Sequence, residues 1–235
     1  MRGGAGPIIE SGAASAGVGL SARDVVQLER YVDLVVEWSA RLRLTGARSR
    51  EEVARVLVAD GLGVVPVLPP AGAFADLGSG AGVPGLLVAV FRPVAHVTLV
   101  EASRKKAGFL EIAVRTLGLA NVAVICARAE ELGRDPVHRE HYDVVTARAV
   151  GDLRVLAEYA LPMLRLGGIG VFPKGSKAAQ EIEAAARALS VLGGVVELRS
   201  AGASQSASLV ILRKTIATPQ EYPRRTGTPE RRPLR

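Results

Sequence analysis

Cysteine, histidine and aromatic residues are scarce in this chain. Among 235 residues there is one cysteine, Cys126, three histidines (His96, His138 and His141), and only 4% aromatics. A lone cysteine closes no intramolecular disulfide, which excludes a disulfide-stapled scaffold, and Cys126 is expected as a buried small apolar residue. Three histidines and one cysteine are too few for a zinc cage at the usual spacings. His138 and His141, beside Arg139 and Glu140, read as a solvated loop, so no metal site is expected. Long apolar runs are also missing. The longest, Leu62 to Phe74, is broken by Pro66, Pro69, Pro70 and Gly72 and falls short of the ~18 residues a membrane span needs. Arg2 near the start is followed by no apolar segment of the kind a signal peptide carries. A cytoplasmic protein without a membrane partner is expected.

What is present is an aliphatic chain, 49% hydrophobic and carried by Ala, Val, Leu and Gly. At this length one α/β domain with an appendage is expected, and it can bury about 70–75% of its unfolded surface. The net charge is +7, and its placement is uneven. From Arg213 to Arg235 there are seven basic residues (Arg213, Lys214, Arg224, Arg225, Arg231, Arg232, Arg235) against Glu221 and Glu230. Pro219, Pro223, Pro229 and Pro233 argue against a helix there. An extended basic segment of this kind suits a polyphosphate partner such as nucleic acid.

Residues 1–20 are rich in Gly, Ala and Ser, nearly uncharged, and are expected to be disordered. Residues 21–70 form a helical extension. Ser21 with Asp24 is a capping box for a first helix, and a second runs from Ser49 to Val65 until the prolines end it. From residue 71 to 213 strands and helices alternate. Strands are expected at Ala73–Leu77, His96–Glu101, Val122–Cys126, Tyr142–Ala147, Ile169–Phe172, Val195–Leu198 and Ser208–Leu212. This alternation specifies an α/β fold, a doubly wound, mostly parallel sheet. Residues 214–235 are the basic, Pro-rich tail.

Asp76-Leu77-Gly78-Ser79-Gly80-Ala81-Gly82-Val83-Pro84-Gly85 lies between the first strand and its helix, where open α/β sheets bind ligands. Counted from Gly80 it matches the GxGxxG dinucleotide fingerprint, with Glu101 at the expected distance. Counted from Gly78, the first residue past the strand, it reads GxGxG, with Val83 where the third dinucleotide glycine belongs. That pattern, an acid closing strand 1 and another closing strand 2, resembles the Rossmann-like methyltransferases. Their S-adenosylmethionine offers a carboxylate to main-chain amides and ribose hydroxyls to Glu101, and it tolerates Asp76 where a pyrophosphate would not. An NAD-dependent oxidoreductase therefore stays open as the alternative. A Walker loop does not, because no GK[ST] follows.

An ordered set of further motifs narrows this. It includes Trp38, Leu44-Thr45, the glycine turn and Leu99-Val100-Glu101-Ala102-Ser103-Arg104-Lys105-Lys106 with Phe109-Leu110. It continues through Asn121-Val122, Arg128-Ala129-Glu130, Ala147-Arg148-Ala149 and Lys174-Gly175 to Tyr222-Pro223-Arg224-Arg225 with Gly227, Thr228 and Pro229. Together these resemble the bacterial small-subunit ribosomal RNA methyltransferase G family, also called glucose-inhibited division protein B. Its members methylate N7 of a guanosine in 16S rRNA.

The resemblance implies a Rossmann-like class I methyltransferase with a seven-stranded sheet, using S-adenosylmethionine and releasing S-adenosylhomocysteine. It implies a monomer acting on 16S rRNA or the small ribosomal subunit. Cofactor contacts would come from Asp76, Gly78, Gly80, Gly82, Val83, Glu101, Ala129, Glu130 and Arg148. Arg148 and Lys174 would stand at the reacting groups, and Arg104, Lys105, Lys174, Arg224 and Arg225 would meet RNA. Two positions depart from the family pattern. Arg43 stands where an Asn usually precedes Leu-Thr, and Leu57 stands where a His is usual. A cofactor-binding homologue without catalysis is the reading those departures leave open.

Overall fold

The computed structural model describes residues 4–200 and 208–234. Residues 1–3 of the segment expected to be disordered, and Arg235 of the tail, lie outside them. Seven strands form one sheet: β1 (Ala73–Leu77), β2 (His96–Val100), β3 (Val122–Ile125), β4 (Tyr142–Ala147), β5 (Leu164–Lys174), β6 (Gly194–Ser200) and β7 (Ser208–Lys214). Their order is β3-β2-β1-β4-β5-β7-β6. The first five run parallel, and β7 is antiparallel to both β5 and β6. The mostly parallel, doubly wound sheet read from the sequence is thus the observed one.

Side chains alternate across this sheet and divide the core in two. Phe74, Leu99, Val144 and Val171 point to one face, which is covered by α2 (Ala22–Leu42), α4 (Gly85–Phe91) and α5 (Arg104–Leu117). Their neighbours Ala75, Val100, Val145 and Phe172 point to the other, under α7 (Leu153–Ala160) and α8 (Ala178–Leu192). β1 sits between β2 and β4. Chain crossovers leave it in opposite directions, and this opens a crevice at the carboxyl ends of β1 and β4.

The start of the chain corrects the expectation of disorder. Ala5–Ala16 is an α-helix, α1, with Ala5, Ile9 and Ala13 buried. Small residues let it lie directly on the helical segment that ends at Ala59: a Cβ on Gly12 would fall on Ala59. α2 carries the expected capping box, Ser21 with Asp24. The second helix of the extension is less regular than its periodicity predicts. A short α3 (Arg50–Val53) passes into a π-helical turn, Ala54–Ala59, and then a 3₁₀ segment, Leu62–Val67.

The tail is also corrected. It folds back onto the domain and contains a short helix, α9 (Thr228–Arg231), with Pro229 in its first turn, where a missing N–H costs nothing. Glu158 is fully buried on α7 and accepts the Arg224 main-chain N–H at 2.8 Å and its guanidinium at 2.6–3.1 Å. Arg139 donates to the carbonyls of Thr218 and Tyr222. Lys214 is a β7 residue, fully buried, with Nζ on Glu140 and the Leu161 carbonyl. Cys126, expected to be buried, is exposed just beyond β3.

Candidate functional site

The turn after β1 is built by its own backbone. The Ser79 amide donates to the Val100 carbonyl, Ser79 Oγ donates to the Asp76 carbonyl, and the Gly82 amide closes onto Ser79. Gly78, Gly80 and Gly82 all lie at positive φ (62°, 53° and 96°), where a side chain is strained. Two of them serve different ends. A Cβ on Gly82 would collide with Leu86, whereas one on Gly80 would meet nothing nearer than the Gly78 carbonyl at 3.7 Å. Gly80 is therefore the open point of the turn. Val83 is 6% exposed and sits in the hydrophobic core.

Two carboxylates back this turn. Glu101, just past β2 and 8% exposed, accepts from the Gly80 amide at 2.9 Å and the Ser103 amide at 2.8 Å. The Ser103 hydroxyl itself makes no capping bond at the start of α5. Asp76 is 1% exposed. Its Oδ1 accepts from Thr146 Oγ1 at 2.7 Å, and its Oδ2 is buried without a partner. Burial pushes this carboxyl up to about 6, against the opposing hydrogen bond from Thr146.

The expected residues after β3 divide. Ala129 is half-buried at the start of α6 (Ala129–Leu132). Glu130 is 3% exposed, and its carboxylate accepts the Gly227 amide of the tail at 2.7 Å and faces the Tyr159 hydroxyl at 3.4 Å. Its carboxylate therefore anchors the tail. The hydroxyl of Tyr159 is raised far above its usual range by burial and by this carboxylate.

Arg148 follows β4. Its Nη2 donates to the Val56 carbonyl of the π turn at 2.7 Å and lies 3.9 Å from Asp60, while Nη1 is buried with no partner. Lys174 ends β5 with Nζ on Glu181 and the Gly151 carbonyl, both at 2.7 Å. Arg148 and Lys174 both line a cleft of about 1030 Å³ that runs between the strand ends, the π turn and α1. The glycine turn and Glu101 are not part of that lining. Leu57, at the position of the family's usual His, is 8% exposed and packs in the core beneath the turn, outside the cleft lining. Arg104, Lys105 and Arg225 are exposed. Arg224, expected to meet RNA, has its guanidinium engaged by Glu158.

The cleft brings in residues that sequence reading missed: Arg55, Asp60 and one side of α1 through Ile8, Ser11 and Ser15. Arg55 and Asp60 are five apart, a spacing that shares no face in an α-helix. The π turn joins them, with the Asp60 amide on the Arg55 carbonyl. π turns recur at functional sites, but no residue pattern here announces one.

The described residues include no helix long and apolar enough to cross a membrane. Residues 24–210 match the family model for rRNA small subunit methyltransferase G. Among curated proteins, the chain is 45% identical over 222 residues to a ribosomal RNA small subunit methyltransferase G of Chloroflexus aggregans, covering 93% of each. It is 41% identical over 232 residues to the protein of that name from Pelotomaculum thermopropionicum, covering 96% of this chain and 97% of the relative. Among solved structures, a SAM-dependent O-methyltransferase from Thermotoga maritima superposes with a TM-score of 0.53 at 15% identity, covering 68% of this chain and 66% of that one. A SAM-dependent methyltransferase from Aquifex aeolicus gives 0.52 at 15% identity, covering 65% and 88%. At such identities these two speak for the fold alone, that of the class I methyltransferases.

Proposed function

The chain belongs to the rRNA small subunit methyltransferase G family, and from that premise we propose that it transfers a methyl group from S-adenosylmethionine to N7 of a guanosine in 16S rRNA. The observation that carries this reading is the family match across residues 24–210, joined to identity above 40% over nearly the whole chain. The strand order supports it against an NAD enzyme. A dinucleotide fold ends in a parallel sixth strand, whereas here the antiparallel β7 lies between β5 and β6.

The residues of the β1 rim fit the cofactor. The turn is open at Gly80, Glu101 already accepts from the Gly80 amide, and Asp76 keeps one buried oxygen free. The amino acid moiety would lie against the open backbone of the turn at Gly78 and Gly80, with Glu101 facing the ribose hydroxyls and the backbone of Ala129 and Glu130 the adenine side. When bound, the cofactor supplies an electrophilic sulfonium methyl, for which guanine N7 is an unprotonated nucleophile.

The protein's own work is orientation and charge. Arg148, fixed by the Val56 carbonyl, holds positive charge beside the acceptor, and Lys174 stands behind it with Glu181 as its counter-ion. No side chain is asked to remove a proton. The histidines agree: His96 opens β2 at the far edge, and His138 hydrogen-bonds Tyr142. The test is to transfer labelled methyl to small ribosomal subunits from cells lacking this protein and to map it by cleavage at 7-methylguanosine. One N7 site is expected, with a single-turnover rate at saturating S-adenosylmethionine that is level from about pH 7 to 9 because the transfer uses no general base. Label on any other atom, or none, refutes the reading.

A further inference from the structure

We propose that the cleft beneath α1 receives the target nucleotide and that Asp60 reads the Watson–Crick edge of its guanine. This deepens the function proposed above and rests on it. The cleft, at about 1030 Å³, is at the upper end of the range for small-molecule sites and has room for a nucleotide. It adjoins the cofactor rim, because Arg148 follows Ala147, which pairs with Leu77 immediately before the glycine turn. Its walls are mixed. Ile8 and Ala59 offer apolar surface to a base, and Arg55 and Arg148 offer positive charge to a phosphate.

Asp60 does not fit a surface meant for phosphate alone. It is the one acid in the cleft lining among the described residues, and it repels a polyanion. Arg148 does not neutralise it closely, since Nη2 stays 3.9 Å away, beyond hydrogen-bond reach. The Asp60 side chain is 60% exposed and lines the cleft. Its backbone is fixed by the π turn, which Arg148 pins through the Val56 carbonyl.

A base methylated at N7 must turn its Hoogsteen edge to the methyl donor, which leaves its Watson–Crick edge to the protein. On guanine that edge carries two adjacent donors, N1–H and the 2-amino group, and a carboxylate accepts from both. Adenine presents an N1 lone pair there instead, which a carboxylate repels. Extruded bases are read on this edge in other base-modifying enzymes. An acid at the wall of a basic cleft is thus explained by a base that donates twice.

The experiment compares the full-length protein with Asp60→Asn, on reconstituted small subunits carrying guanosine or inosine at the mapped acceptor. Inosine keeps N7 and N1–H but lacks the 2-amino group. On guanosine the variant should slow single-turnover transfer by about ten- to a hundredfold, the loss of charge-assisted hydrogen bonds. On inosine that penalty should shrink several-fold, because part of the interaction is already gone. Cofactor affinity, measured by calorimetry, should stay at the wild-type level. Equal slowing on both acceptors would overturn the assignment. So would a fall in cofactor affinity as large as the fall in rate, which would make Asp60 only a partner of Arg148. Failure of the functional reading looks different: wild-type protein would then leave N7 of guanosine unmethylated before any variant is made.

Discussion

Asp76 is held at a cost. Its carboxyl is 1% exposed, keeps one oxygen unpartnered, and is pushed by burial from the usual 3.8 to about 6. A native-state value above the unfolded one means that the folded protein binds the extra proton between about pH 4 and 6. The stabilising contribution is complete below about pH 4 and is lost as pH rises through 6. Above pH 6 the ionised group makes the native state roughly 3 kcal/mol poorer than an unshifted acid would. Asp76→Asn keeps an oxygen for Thr146 and carries no charge. It should be more stable than the wild type at pH 7 by up to that amount, with the difference closing as pH falls to 4. Urea titrations of both proteins across this range check it. Affinity for S-adenosylmethionine should fall in the same variant, a gain in stability against a loss of function.

At this scale the sequence exposes those residues whose backbone or strand position fixes their task. Gly78, Gly80, Gly82, Asp76 and Glu101 all fall at the β1 and β2 carboxyl edge where the pattern puts them. Glu130 carries a contact that the pattern does not show. Its place after β3 is as expected, but its carboxylate points to Gly227, nearly a hundred residues on, and no local pattern encodes that contact.

Among the elements, the sheet was readable because β1, β4 and β5 carry short apolar runs with alternating faces. α1 was not. Its composition of Gly, Ala and Ser matches that of a linker, and such residues bury little area each. They work by close approach instead, which only the partner surface reveals. Gly12 lies on Ala59, the last residue of the π turn and the neighbour of Asp60. Gly12→Val would put its Cβ against the Ala59 Cβ and 2.7 Å from its Cα. Overpacking of this kind should cost about 1–3 kcal/mol, read as a lower Tm and faster hydrogen exchange in α1. Gly19→Ala, with nothing within 4 Å, is the control and should leave both unchanged. The π turn was illegible for another reason: Arg55 and Asp60 share a side only once one i→i+5 bond has formed.

Over the whole molecule, charge alone overstates what the tail offers to RNA. Net charge counted Lys214 and Arg224 with the rest, yet Lys214 is fully buried against Glu140 and Arg224 is clasped by a fully buried Glu158. Burial pulls the Lys214 ammonium below its usual range, against the pull of Glu140. These two cations belong to the fold. Arg225, Arg231 and Arg232 are exposed, but Arg231 Nε donates to the Gly227 carbonyl, so Arg225 and Arg232 remain for phosphate.

The two groups of cations should therefore separate by experiment. Arg224→Gln leaves Glu158 as a buried charge with its partner gone and should cost about 3–5 kcal/mol. It should also loosen the tail from Glu130 and so weaken cofactor binding beside α6. Changing Arg225 and Arg232 together to Gln leaves those contacts alone. Each lost phosphate contact removes about 0.7–0.9 from the salt slope, so the double variant should lower it by about 1.4–1.8. Its thermal stability and cofactor affinity should match the wild type. RNA-binding titrations over a range of salt, run beside calorimetry with S-adenosylmethionine, measure both. An unchanged slope in the double variant would confine the tail to bracing the domain, and the electrostatic contact with RNA would then have to come from Arg104, Lys105 and the cleft.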